Sequence, residues 1–135
     1  MIYRFRVLQS SWGIAIDLSL RISYPDRDTL NGVAAVADDI YLLVTDKHNK
    51  PSTLNWLHRG IADIAHQLQQ HKEAGVLCIE VAAIHYSPAD FQPEGLYHAV
   101  QDAVLSYFGL DLKEHKISFN KEQNRYCFHD LETGI

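Results

Sequence analysis

Two cysteines in a chain of 135 residues are too few for the disulfide framework that small exported domains use in place of a large core. Cys78 and Cys127 each sit inside an apolar, strand-like run and neither belongs to a C-x-x-C spacing, so they read as buried thiols in a reducing, cytoplasmic compartment. Seven glycines and four prolines are also few, which excludes collagen-like repeats and low-complexity disorder. No apolar run approaches the ~18 residues of a membrane-spanning helix. The first residues, Met1-Ile2-Tyr3-Arg4-Phe5-Arg6, alternate like a strand and lack the apolar centre and cleavage site of a signal peptide. A basic excess is missing too. Twelve Lys and Arg face 17 Asp and Glu, a formal charge of −5, so direct binding of nucleic acid through its phosphates is not expected.

Local signatures of chemistry are equally scarce. There is no G-x-S-x-G elbow to expose a nucleophilic serine and no glycine-rich loop to cradle a phosphate. His66 and His71 are five apart, which puts them on different helix faces, whereas H-E-x-x-H needs four. No cofactor and no metal are expected. His85, Asp90 and His98 straddle a strand-to-helix junction and are the residues a small enzyme of histidine and carboxylate chemistry would use; their other reading is surface or hydrogen-bonded histidines.

What is present is periodicity in a chain that is 47% hydrophobic and 21% charged, the composition and length of a single globular domain over 1–135. Tyr3, Phe5 and Val7 alternate with Arg4 and Arg6, and Ile14, Ile16, Leu18, Leu20, Ile22 and Tyr24 share one face of a second alternating run. Both predict half-buried antiparallel strands, neighbours in one sheet. After Pro25 the residues to Asp46 predict a helix entering a short strand that begins past Asp39. Pro51-Ser52-Thr53 predicts the capped start of a long helix with Leu54, Leu57, Ile61, Ile64, Ala65 and Leu68 inward, closed at Gly75.

Val76 to Tyr86 is apolar on both sides, as a central strand would be. A second helix follows, with Asp90 or Gln92 as cap, Pro93 in its first turn, Leu96, Val100, Ala103, Val104 and Tyr107 inward, and Gly109 as its stop. Ile117-Ser118-Phe119 and Tyr126-Cys127-Phe128 around Lys121-Glu122-Gln123-Asn124 predict a hairpin that adds two strands to the sheet. Its register would set His115 across from Asp130 and Lys116 across from His129, which reads as a cross-strand ion pair or, more sharply, as an acid–base pair. The fold expected is α+β, a mixed but mainly antiparallel sheet of about five strands with two long helices on one face.

On the second helix Glu94, His98 and Asp102 fall at i, i+4 and i+8, opposite the buried stripe, and Leu105, Asp111 and Glu114 continue the line. This spacing predicts an exposed acidic ridge, of the kind a partner with a basic cleft would select. Eight histidines make the charge sensitive to mild acid. The ridge ranks a partner-binding protein first, a small enzyme second and a homo-oligomeric structural subunit third.

Ile79-Glu80-Val81, the stretch Tyr86-Ser87-Pro88-Ala89-Asp90-Phe91-Gln92-Pro93-Glu94-Gly95-Leu96 with its amphipathic helix, and Asn124-Arg125-Tyr126 together resemble small bacterial immunity proteins, the antidotes encoded beside contact-dependent or other polymorphic toxins. The resemblance covers about a third of the chain and rests also on size and acidity. It implies tight, non-catalytic binding to one cognate toxin domain, here a basic one such as a nuclease. It carries no site residues with it, so Glu94, His98, Asp102, Asp111 and Glu114 stand as partner-binding residues on the ridge argument alone.

Overall fold

The alternating runs belong to a five-stranded sheet whose strands lie in the order β1 (Ile2–Leu8), β2 (Gly13–Ser23), β5 (Leu77–His85), β4 (Ile40–Val44) and β3 (Ala35–Ala37). The structure is a computed structural model that describes residues 1–8 and 13–132. β1 (Ile2–Leu8) lies antiparallel to β2 (Gly13–Ser23), with Phe5 opposite Ile16 and Val7 opposite Ile14. The even positions of β2 from Ile14 to Leu20 are buried, as its period of two requires.

Residues 28–39 differ from expectation, while the short strand expected past Asp39 is present. A single 3-10 turn at Arg27–Leu30 stands where a helix was predicted, followed by a short β3 (Ala35–Ala37) that turns back onto β4 (Ile40–Val44). Leu30 and Val33 cover Val76 and Cys78 on the far side of the sheet. A turn does this as well as a helix does.

β4 runs parallel to β5 (Leu77–His85), and parallel neighbours need a crossover. α1 (Pro51–His71) supplies it. Pro51 occupies its first turn, but neither Ser52 nor Thr53 caps it: Lys50 is the cap residue and contributes no side-chain bond. The helix stops at His71, ahead of Gly75, whose φ of +102° turns the chain into β5.

β5 is the central strand. Its register with β2 slips between Ser19 and Leu20, which leaves Ala82 as a bulge residue. That slip lets Leu77, Ile79 and Val81 and then Ile84 all reach the core, and it explains the apolar run that lacks clean alternation. Cys78 is buried in the small cluster beneath Leu30, and burial raises its thiol.

α2 (Gly95–Tyr107) ends as predicted. Gly109, at φ +68°, donates to the Ser106 carbonyl while Leu110 reaches back to Leu105. Its start differs. Glu94 is the cap residue and makes no capping bond, Asp90 closes a separate 3-10 turn at Pro88–Asp90, and Tyr107 is exposed. The larger correction is that every residue from Gly95 to Leu105 is buried, so α2 is enclosed on all sides. The sheet lies beneath it and α1 beside it. The contact with α1 is close: a Cβ on Gly60 would sit 2.8 Å from the Tyr97 carbonyl oxygen.

The remaining side of α2 is covered by the C-terminal hairpin. β6 (Ile117–Asn120) and β7 (Arg125–Phe128) pair in the expected register around Lys121–Asn124, with Asn124 left-handed at φ 52°. They form a separate two-stranded sheet and do not extend the main one, and α3 (His129–Glu132) follows. Tyr126, Phe128 and Leu131 enter the same apolar cluster as α1, α2 and the sheet. No helix among the described residues is long and apolar enough to cross a membrane.

Candidate functional site

The hairpin meets α2 at two places where polar groups are buried. The first is a joint. The Gln92 amide donates from Nε2 to the Tyr126 carbonyl at 2.5 Å and accepts the Tyr126 N–H on Oε1 at 2.9 Å, so one side chain behaves as a neighbouring strand's peptide group. Nε2 also donates to Glu94, whose carboxylate holds Arg125 at 2.6 Å. Gly95 then lets the helix start lie on Ile14 and Ile16, since an added Cβ would come within 3.0 Å of the Ile16 Cδ1.

The second place is a cluster around His98, on α2 past that joint. His98 is 0% exposed. Its ring lies between Phe5 and Phe128, with Tyr97 edge-on. The Tyr97 hydroxyl donates to Asp63, and burial together with that carboxylate pushes it up to about 12. Neither nitrogen of His98 has a hydrogen-bond partner among the described residues. Nε2 stands 3.4 Å from Asp130 Oδ1, an approach without a hydrogen bond's geometry, and the His115 ring centroid is 4.0 Å away. Burial, reinforced by His115 and Lys113, lowers His98 to about 3, so the ring is neutral at physiological pH.

His115 arrives from the connection between α2 and β6. Its Nε2 lies 2.9 Å from both oxygens of Asp102, and its Nδ1 is buried with no other partner. Asp102 is itself 5% exposed and also holds the Tyr3 hydroxyl, whose pKa is raised by burial and then by this carboxylate. Asp130 comes from α3. One ligand atom from each of His98, His115 and Asp130 lies within 4.8 Å of the others, a donor set suited to a metal ion. His115 and Asp102 also line a groove of about 470 Å³ that runs along β1 past Tyr3, Phe5 and Val7.

The predicted ridge therefore does not exist as a surface. His98, Asp102 and Leu105 are inside, and Glu94 is half-buried and paired with Arg125. Asp111 and Glu114 are exposed, but Lys113 and Lys116 share their segment and offset their charge. The junction trio does not converge either. His85 and Asp90 line a shallow groove with Arg6 and Asp17 on the open face of the sheet, whereas His98 lies with the core cluster on the helix face. The hairpin register is as expected, and His129 N–H donates to the Lys116 carbonyl.

The sequence reading paired His115 with Asp130 and aligned His98 with Asp102, but it did not join the two pairs. The hairpin register was the available signal.

Exposed acidity gathers elsewhere. Asp26, Asp28, Asp38 and Asp39 lie between the end of β2 and β4, against Arg27, which is bound to Asp39 at 2.6 Å. Beside them β3 runs along only Ile40 and Tyr41 of β4, so the register leaves Leu42 to Val44 without a strand on that side. A groove of about 530 Å³ lies there, lined by Val33, Leu42, Val44, Leu54 and His58 among others.

No protein-family model matches the chain, and no curated protein matches it significantly.

Proposed function

We propose that the chain is a non-catalytic immunity protein that neutralises one basic toxin domain, a nuclease above all, by direct binding. The observation that carries this reading is the half-unpaired sheet edge at β3 and β4, with an apolar groove along it and with Asp26, Asp28, Asp38 and Asp39 in the chain between β2 and β4. An open edge offers main-chain bonds to an extended segment, the apolar groove takes its side chains, and the aspartates attract a basic partner and orient it. Asp111 and Glu114 remain a secondary acidic surface. The net charge of −5 and the resemblance point the same way.

The test is a complex with the toxin domain encoded in the neighbouring reading frame. Asp26→Lys, Asp28→Lys and Asp38→Lys together should slow association about tenfold or more and steepen the loss with salt, and Asp111→Lys with Glu114→Lys should do less. Complex formation unaffected by all five reversals would sink the proposal.

A second reading, a small enzyme of histidine and carboxylate chemistry, is favoured by the Asp102–His115 pair on the β1 groove. It predicts a turnover that His115→Gln abolishes.

A further inference from the structure

We infer that His98, His115 and Asp130 form a binding site for one divalent transition-metal ion of the zinc type. This goes beyond toxin binding and does not rest on it. Bonds of about 2.0–2.1 Å in tetrahedral geometry place neighbouring ligand atoms roughly 3.3 Å apart. His98 Nε2 and Asp130 Oδ1 are already 3.4 Å apart, and the whole set lies within 4.8 Å, so small side-chain rotations close it around an ion. Two imidazoles and a carboxylate suit zinc; calcium and magnesium call for oxygen ligands.

Independent support comes from His98 itself. A wholly buried ring with neither nitrogen partnered is unfavourable unless something else occupies it. His115 adds a second observation: Asp102 takes its Nε2–H and leaves Nδ1 bare, the arrangement in which a carboxylate fixes the tautomer and orientation of a metal-bound histidine. Tyr3 holds Asp102 in turn. Asp102 and Asp130 offset the ion's charge, which Lys113 opposes, and the groove along β1 gives access to His115. The three ligands come from α2, the connection after it and α3, so the ion would tie the hairpin end of the chain to the helix it covers.

The untagged full chain, stripped with a chelator and titrated with zinc against a chromophoric competitor, tests this directly. One ion per chain is expected, bound more tightly than about 1 μM, and cobalt in its place should give the visible bands of a tetrahedral site. Asp130→Asn and His115→Gln should each weaken binding by about 100-fold, Asp102→Asn by 10–100-fold, and the surface change His66→Gln should leave it unaltered. His115 and Asp130 lie at the edge of the cluster, with side chains 16% and 28% exposed, so these variants keep the fold, which circular dichroism verifies. Absence of stoichiometric binding, or binding that survives both Asp130→Asn and His115→Gln, overturns the inference. Should His115→Gln not fold, Asp130→Asn decides alone.

Discussion

Gln92 and His98 are both buried polar side chains where the hairpin covers the start of α2, and their surroundings are opposite. Every polar atom of the Gln92 amide has a partner, two of them the peptide N–H and carbonyl of Tyr126. Among the described residues neither nitrogen of His98 has one, although Asp130 and His115 stand close by. A satisfied buried group fixes a single arrangement and explains itself structurally. An unsatisfied one in an otherwise well-packed cluster of aromatic rings points to a ligand.

Replacing Gln92 by Leu breaks the comparison most severely. It removes both bonds that the buried amide makes to the Tyr126 N–H and carbonyl, and loss of one partner of a buried hydrogen bond costs about 1–3 kcal/mol. Urea unfolding should show a loss of about 2–4 kcal/mol, and a loss below ~0.5 kcal/mol would mean that the joint is not what holds the hairpin.

Gly60→Ala sharpens the comparison from the other side of α2. The new methyl would meet the Tyr97 backbone and Val100, forcing α2 toward the hairpin. Overpacking of this kind costs about 1–3 kcal/mol, which outweighs the ~1 kcal/mol that alanine gains in helix propensity. Thermal unfolding checks the sign.

Asp46 offers a satisfied charge for contrast. Burial alone would raise its carboxyl, but the backbone and ring of His48, the Ile84 backbone and the charge of His48 hold it below the ordinary range. A lowered folded value means stability that is fully present above about pH 4 and lost as the pH falls through that lower value. Asp46→Asn should cost about 1 kcal/mol at neutral pH and flatten the acid limb of the stability curve. An unchanged acid limb would show that the carboxylate gains nothing from His48.

The smallest effect belongs to Arg125→Ala. It removes a half-exposed ion pair with Glu94 at the rim of the joint and should cost less than ~1 kcal/mol, less still in high salt.

The strands were legible wherever a single face was buried. Tyr3, Phe5 and Val7 and the even positions of β2 announce themselves by alternation. β5 reads as a central strand apolar on both sides, and its alternation is blurred because one bulge residue, Ala82, shifts its inward positions from odd to even. The helix expected before β4 rests on the spacing of Val33, Val36, Ile40, Leu43 and Val44, and all but Val33 of these lie in β3 and β4. α2 misled for a different reason. Glu94, His98 and Asp102 form a polar line that looks solvated until residues 115–131 fold over it, and nothing local to the helix reports a cover that comes from so far along the chain. The same distance hid the candidate site, since its halves were visible separately, as the His115–Asp130 register and the His98–Asp102 spacing.

His98→Leu, unfolded in urea with chelator and again with zinc, tests most directly whether His98 is kept for a ligand. In chelator the variant should match or exceed the parent by about 1 kcal/mol, because an apolar side chain of similar size replaces an unpartnered polar one. With zinc at 100 times its dissociation constant, the parent should gain about 2.7 kcal/mol and the variant almost nothing. A variant that is less stable in chelator by as much as Gln92→Leu, or a parent that zinc does not stabilise, would contradict the account.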